Sequence, residues 1–230
     1  MRNALRVYIA KTLWDSPARS ELDLSSAKTV LLMRNEGAIG DVVVDSALVK
    51  CLHQSGFIVD FLLTKSNSQV MRYHPGIRRI YEAENVASGD FLRKFTHNVP
   101  ESVINELANN KYDIVIDPSL FDMPIHRMLL LRQIKAKSVL GFNKWASINH
   151  YSKSFDFDCE NWHVSQTYTF IAEHLNLDKN IWSVMTSIFQ RIFISKPGSI
   201  WRGLSGEKSS LIFCRASGPQ SVAGAVVIPD

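Results

Sequence analysis

The chain has 230 residues, 46% of them hydrophobic and 21% charged, with a formal net charge of +4. That length suits one large domain, or one domain and part of another, and the composition excludes an intrinsically disordered chain. The modest basic excess fits an anionic substrate or an acidic surface without selecting either. Three cysteines, Cys51, Cys159 and Cys214, have neither CxxC spacing nor an accompanying His pair, so the pattern implies no disulfide framework, no zinc site and a reducing cytoplasm.

The opening "MRNALRVYIAKTLWD" is interrupted by Arg2, Arg6 and Lys11, which leaves no continuous apolar region for a signal peptide. No later run approaches the ~18 apolar residues that would cross a bilayer. Residues 1–27 read as an extension in which Leu5, Ile9, Leu13 and Trp14 share a helical face flanked by basic residues. Such a helix either packs on the main domain or lies in a membrane interface.

From residue 28 apolar runs alternate with amphipathic segments, the pattern of βαβ units and a parallel sheet. "KTVLLMR" (28–34) is predicted as the first strand. "DVVVDSALVKCLHQSG" (41–56) follows as a helix with Val44, Ala47, Leu48, Cys51 and Leu52 on one face and Gly56 as its stop. "FIVDFLLT" (57–64) is a second strand, "SNSQVMRYH" (66–74) a short helix capped by Ser66, and "GIRRIYEA" (76–83) a third strand. "PESVINELANN" (100–110) reads as a helix with Pro100 in its first turn. "YDIVIDP" (112–118), "MPIHRMLLLRQIKA" (123–136) and "KSVLGFN" (137–143) complete the series as strand, helix and strand, and "NWHVSQTYTFIAEHLNLD" (161–178) is a further helix. The expected fold is α/β, a Rossmann-like doubly wound parallel sheet over residues 28–193. The Gly-, Ser- and Lys-rich stretch 194–210 reads as a linker, and "LIFCRASGPQ" (211–220) as one more strand and turn.

In an open α/β sheet, ligands bind beyond the carboxyl ends of the strands, which puts residues 35–41 and Asp117 on the rim of a cleft. Asp41 is then either a first-turn acid that stabilises its helix or a carboxylate placed to accept a proton. Gly37 and Gly40 let the loop approach a ligand, although "EGAIG" lacks the glycine spacing of a dinucleotide fingerprint. Asp117 either hydrogen-bonds a sugar or caps the turn at Pro118. Arg127, with Arg132, Lys135, Lys137, Arg72, Arg78 and Arg79, either attracts phosphates or lines a solvated face. His163 either packs at a helix start or contacts an acceptor. Phe142 and Trp145 either stack on a sugar or anchor the core. Nothing forms a Ser-His-Asp or Cys-His nucleophile, and the basic residues do not interleave with aromatics as a nucleic-acid platform would.

The stretch "LLMRNEGAIGDVVVDSALVKCL" resembles the opening of glycosyltransferase family 9, the ADP-heptose:lipopolysaccharide heptosyltransferases. The matching features are a first strand ending at Arg34, a short loop, Gly40-Asp41, the triplet Val42, Val43 and Val44, and then a helix. "HPGIRRIY", "YDIVIDP", "SVLGFNKW" and His163 extend the match in order over roughly residues 28–180. Two positions depart from it. Ala47 stands where the family usually has Pro, and Asp45 where a small hydroxyl residue is more usual, one turn from Asp41. Its like charge opposes ionisation of Asp41 while helix N–H bonds favour it, and no net direction follows from the sequence.

The resemblance implies the N-terminal, acceptor-binding half of a GT-B glycosyltransferase, with residues 211–230 as the start of an incomplete donor-binding domain. It implies inverting sugar transfer from a nucleotide-sugar donor, ADP-heptose, to a lipopolysaccharide core or lipid A-linked acceptor. Asp41 would be the base and Gly37, Gly40, Asp117, Arg127 and His163 would contact substrate. No metal, cofactor or nucleic acid is implied, and the location would be cytoplasmic or peripheral on the inner membrane. With the donor side shortened, the chain is expected to bind acceptor more readily than it transfers sugar. The rival readings are a catalytically silent acceptor- or membrane-binding module and, by fold analogy alone, a nucleotide-binding domain.

Overall fold

The computed structural model describes Tyr8, Thr12, residues 25–85, 97–120, 125–142, 151–157 and 167–178, and two strands in 210–228. The predicted N-terminal amphipathic helix and the 194–210 linker therefore fall almost wholly outside the described residues. The main sheet has six strands: β1 (Thr29–Arg34), β2 (Ile58–Thr64), β3 (Ile77–Ala83), β4 (Ile114–Asp117), β5 (Ser138–Phe142) and β6 (Lys153–Phe155). The helices are α1 (Ile39–Gln54), α2 (Lys65–Met71), α3 (Glu101–Asn109), α4 (Ile125–Ile134) and α5 (Thr167–His174). The strand order is β3-β2-β1-β4-β5-β6, and every neighbouring pair is parallel. This is the Rossmann-like α/β arrangement, and the order reverses between β1 and β4.

Strands of a parallel sheet covered on both faces must be apolar on both sides. Val30, Leu31, Leu32 and Met33 are accordingly all fully buried. Val30 and Leu32 join Val44, Ala47 and Leu48 of α1 and Ile171 of α5 in one core. Leu31 and Met33 join Ile104 and Leu107 of α3 and Leu130 and Leu131 of α4 in the other. The period of two in β1 thus sorts its side chains between two helix layers.

Local chemistry fixes the helix ends. At the end of α1, the Phe57 amide donates to the Leu52 carbonyl and the Gly56 amide to that of His53, both at 3.0 Å. Gly56 sits at φ +90°, so the chain leaves the helix through the left-handed turn that glycine adopts without strain. The same pair of bonds ends α5, from Leu177 to Ala172 and Asn176 to Glu173, with Asn176 at φ +51°. The N-cap of α2 is Thr64, whose hydroxyl accepts from the Asn67 amide at 3.3 Å, two residues earlier than the Ser66 expected. Pro100 is the residue before α3, its carbonyl accepting from Ile104.

The expected elements over 28–142 are all present, with shifted ends. The short β6 was not anticipated. The strand expected at 211–220 is β7 (Ser210–Arg215), paired antiparallel with an unexpected β8 (Ala223–Ile228). Among the described residues no helix is long and apolar enough to cross a membrane.

Candidate active site at the carboxyl edge of the sheet

The chain leaves β1 at Arg34 and enters α1 at Ile39, two residues before the predicted start, so Asp41 is the third helical residue. The helix begins on Ala38, whose methyl group cannot cap it. Only the reciprocal arm of a capping box is possible, and it is made: Asp41 Oδ2 accepts the Ala38 amide at 3.1 Å. The helix-stabilising reading of Asp41 is thus part of its role. Among the described residues Oδ1 has no hydrogen-bond partner, and the residue is partly buried. One oxygen holds the carboxylate in place and the other is unbonded among the described residues.

The loop before Asp41 is tied down from three sides. Asn35 is fully buried; its amide donates to Asn98 Oδ1 at 2.8 Å and its carbonyl accepts from Asn98 Nδ2 at 2.7 Å. Asn67 of α2 donates to the Gly37 carbonyl at 3.1 Å. Glu36 accepts from two residues of α4, His126 Nε2 at 2.6 Å and Arg127 Nη2 at 3.3 Å. Burial pushes the Glu36 carboxyl up, but these bonds and the Arg127 charge outweigh it and hold its pKa below the ordinary value. Glu36 is for that reason a poor proton acceptor.

Gly37 is at φ +148°, and a Cβ there would lie 2.9 Å from Arg34 Cδ and 3.3 Å from Asp41 Oδ2. The glycine is required by its conformation and because Arg34 and Asp41 close over it. It serves the packing of the loop on its own side chains. Gly40 lies in the first turn of α1.

Arg34 is buried beneath this loop. Its Nε and Nη2 donate to the two oxygens of Asp45 at 2.7 Å each, and the Tyr168 hydroxyl of α5 donates to Asp45 Oδ1. Desolvation alone would lower the Arg34 pKa. The charge and hydrogen bonds of Asp45, with a smaller contribution from Asp41, reverse this and raise it. Asp45 was expected to repel Asp41 as a like charge. Instead it is fully buried and bound by Arg34 and Tyr168, so that its charge is met by a guanidinium that also feels Asp41.

Across the switch point, Asp117 at the end of β4 is fully buried. Its Oδ1 accepts from Arg127 Nη1 at 2.6 Å and from the Ser119 hydroxyl at 2.6 Å, and its Oδ2 from Tyr151 at 2.8 Å. Asp117 and Arg127, predicted as separate substrate contacts, are therefore one buried pair, and Ser119 adds the turn-capping interaction. The Tyr151 ring lies over Gly141 of β5, where a Cβ would fall 2.4 Å from the ring. Only a residue without a side chain lets the ring reach Asp117.

The structure thus brings Gly37, Gly40 and Asp41 together and links Arg127 to the same loop through Glu36. His163 lies outside the described residues. Several basic residues expected to attract anions are already paired: Arg78 with Asp60, Arg79 with Glu106 and Lys137 with Asp113. Phe142 is a core residue, 5.7 Å from Phe155 and 6.1 Å from Phe157 between ring centres; Trp145 is outside the described residues. Among the described residues no group of His, Cys, Asp and Glu could hold a metal. Sequence reasoning missed Glu36, His126, Tyr151 and Tyr168. The signal for Tyr151 was Gly141, a glycine inside an otherwise apolar strand.

No protein-family model matches the chain. It is 21% identical over 179 residues to an Escherichia coli (strain K12) protein named "Putative lipopolysaccharide heptosyltransferase 4", a match covering 75% of this chain and 46% of the relative. The crystal structure of the glycosyl transferase family 9 protein from Veillonella parvula DSM 2008 superposes with a TM-score of 0.51 at 20% identity, over 70% of this chain and 43% of that one. The chain is heptosyltransferase-like in sequence and shares its fold with a family 9 glycosyltransferase. It spans less than half the length of either.

Proposed function

We propose that this chain forms the acceptor side of a heptosyltransferase-like glycosyltransferase, with Asp41 as the base. The observation that carries the reading is the Asp41 carboxylate, anchored through Oδ2 and, among the described residues, without a hydrogen-bond partner at Oδ1, where β1 ends beside the reversal of strand order. Open α/β sheets take their ligands at that reversal. In the proposed reaction the acceptor hydroxyl oxygen attacks the anomeric carbon of a nucleotide-activated heptose while Oδ1 takes its proton. The bond from that carbon to the nucleotide diphosphate breaks on the opposite face, and the single displacement inverts the configuration. The donor is read as ADP-heptose and the acceptor as a lipopolysaccharide core or lipid A-linked saccharide, through the sequence likeness to the curated heptosyltransferase. Such an acceptor would bring the protein to the cytoplasmic face of the inner membrane.

Within this reading Gly37 and Gly40 shape the rim that meets the acceptor, and Asp117 and Arg127 support it from below. The test is heptosyl transfer from ADP-heptose to a deacylated core oligosaccharide, by the chain alone and with a separately expressed donor-side half of a family 9 enzyme. Asp41→Asn should lower the rate by about 10²–10⁴, the usual contribution of a positioned general base, without loss of fold. An Asn variant that transfers at the wild-type rate would take the role from Asp41.

A further inference from the structure

We propose that Glu36, His126 and Arg127 act as positioning residues for Asp41, forming a latch that holds the β1–α1 loop against α4. The proposal rests on the reading of Asp41 as the base, but its geometry stands apart from turnover. Glu36 is one residue before Gly37 and five before Asp41, and its two carboxylate oxygens go to different residues of α4, Oε1 to His126 and Oε2 to Arg127. Arg127 in turn reaches through Nη1 to Asp117 Oδ1 at 2.6 Å and Ser119 Oγ at 2.5 Å. A run of bonds therefore leads from the loop, through α4, to the end of the adjoining strand. His126 is 6% exposed, Arg127 2% and Asp117 0%, while the Glu36 side chain is 25% exposed, so the α4 side of these contacts is shielded from water and Glu36 meets it at the rim.

Stability alone does not account for the arrangement. Among the described residues His126 Nδ1 and Arg127 Nε are buried without hydrogen-bond partners, and each such atom opposes folding. What the two side chains do accomplish is to hold Glu36. Asn98 and Asn67 hold the loop at Asn35 and at the Gly37 carbonyl, and Glu36 ties it to α4; Ala38 cannot cap α1, and Gly37 is at a backbone conformation that its neighbours must maintain. If Glu36 moves away, the Ala38 amide can leave Asp41 Oδ2, and the carboxylate then loses the bond that aims Oδ1.

The Ala38 amide is also the reporter. In 1H–15N spectra of the chain it should appear downfield, as expected of a donor to a carboxylate, and it can be followed without substrate. Glu36→Gln keeps size and shape while removing the charge; His126→Ala removes the donor and His126→Gln restores one. Glu36→Gln and His126→Ala should move the Ala38 resonance upfield and speed exchange of the Ala38 amide roughly tenfold, the size expected for one lost charge-assisted bond. The Val30–Met33 amides of β1 should keep their protection, and His126→Gln should return the Ala38 signal toward wild type. An unchanged Ala38 resonance in both disruptive variants would overturn the latch. Equal loss of protection in loop and β1 would overturn it too, by showing a contribution to the fold as a whole. Neither outcome bears on the transfer assay with Asp41→Asn, so failure of the latch and failure of the base assignment are separable.

Discussion

Replacing Asp45 by Leu removes the only described partner of a buried guanidinium. Arg34 is 6% exposed and Asp45 fully buried, with two bonds of 2.7 Å between them and a third to Asp45 from Tyr168, itself 2% exposed. Leaving one member of such a pair buried and uncompensated costs about 3–5 kcal/mol. A loss of about 4 kcal/mol is a large share of the ~5–15 kcal/mol that holds most domains folded. With a urea dependence of about 2 kcal/mol per molar, the unfolding midpoint should fall by about 2 M. Adding Arg34→Met to Asp45→Leu removes both charges and should recover much of the loss, giving a non-additive cycle. A midpoint for Asp45→Leu within about 0.3 M of wild type would refute the reasoning, because it would mean that the guanidinium finds water or another partner at little cost.

Four further outcomes follow from the same geometry. Gly141→Ala drives a methyl group into the Tyr151 ring and should destabilise by about 1–3 kcal/mol; Tyr151→Phe, which removes the bond to Asp117, should cost about 1–3 kcal/mol, and both are read from denaturation midpoints. Gly37→Ala must adopt a backbone conformation that L-residues avoid and should cost about 1–3 kcal/mol, with the Ala38 amide resonance displaced as well. Burial raises the Asp113 pKa, but the Lys137 ammonium and the Lys28 and Thr29 amides outweigh it and hold the carboxyl well below the usual carboxylate range. Its unfolded value is ~3.9, so its contribution is complete above that pH and fades as pH falls toward the lower folded value. Urea midpoints of Asp113→Asn should therefore decline less steeply than wild type from about pH 4 to about pH 2; an identical decline would contradict the assignment.

The sheet was legible in the chain because β1, β2, β4 and β5 are short, largely apolar runs bounded by turn residues, and because α1 places Val44, Ala47, Leu48, Cys51 and Leu52 on one face. Gly56 marked the end of α1 for a reason visible locally, the left-handed turn it makes. β6 escaped notice since three residues, "KSF", have too little pattern to be distinguished. Asp41 was legible because it is local, at the junction of a strand and a helix.

The partners of the site were not legible, since they are joined only by the fold. Glu36 and His126 are 90 residues apart in sequence, and Asp45 and Tyr168 are 123 apart. Asp45 looked like a second charge in the site because spacing shows which helical face a residue shares and not what lies opposite. Asp117 and Arg127 looked like two independent contacts for the same reason; ten residues separate them, and the turn after β4 brings them to one hydrogen bond.

The central claim is that the loop carrying Asp41 receives an acceptor sugar, and the most direct measurement is a titration of the 15N-labelled chain with deacylated core oligosaccharide, followed residue by residue. The expected result is saturable movement of the Gly37, Ala38, Gly40 and Asp41 amides, little change at Lys28 and Asp113 on the opposite edge of the sheet, and no comparable response to ADP-heptose alone. Saturable binding centred on Lys28 and Asp113, or no binding of the oligosaccharide at all, would contradict it.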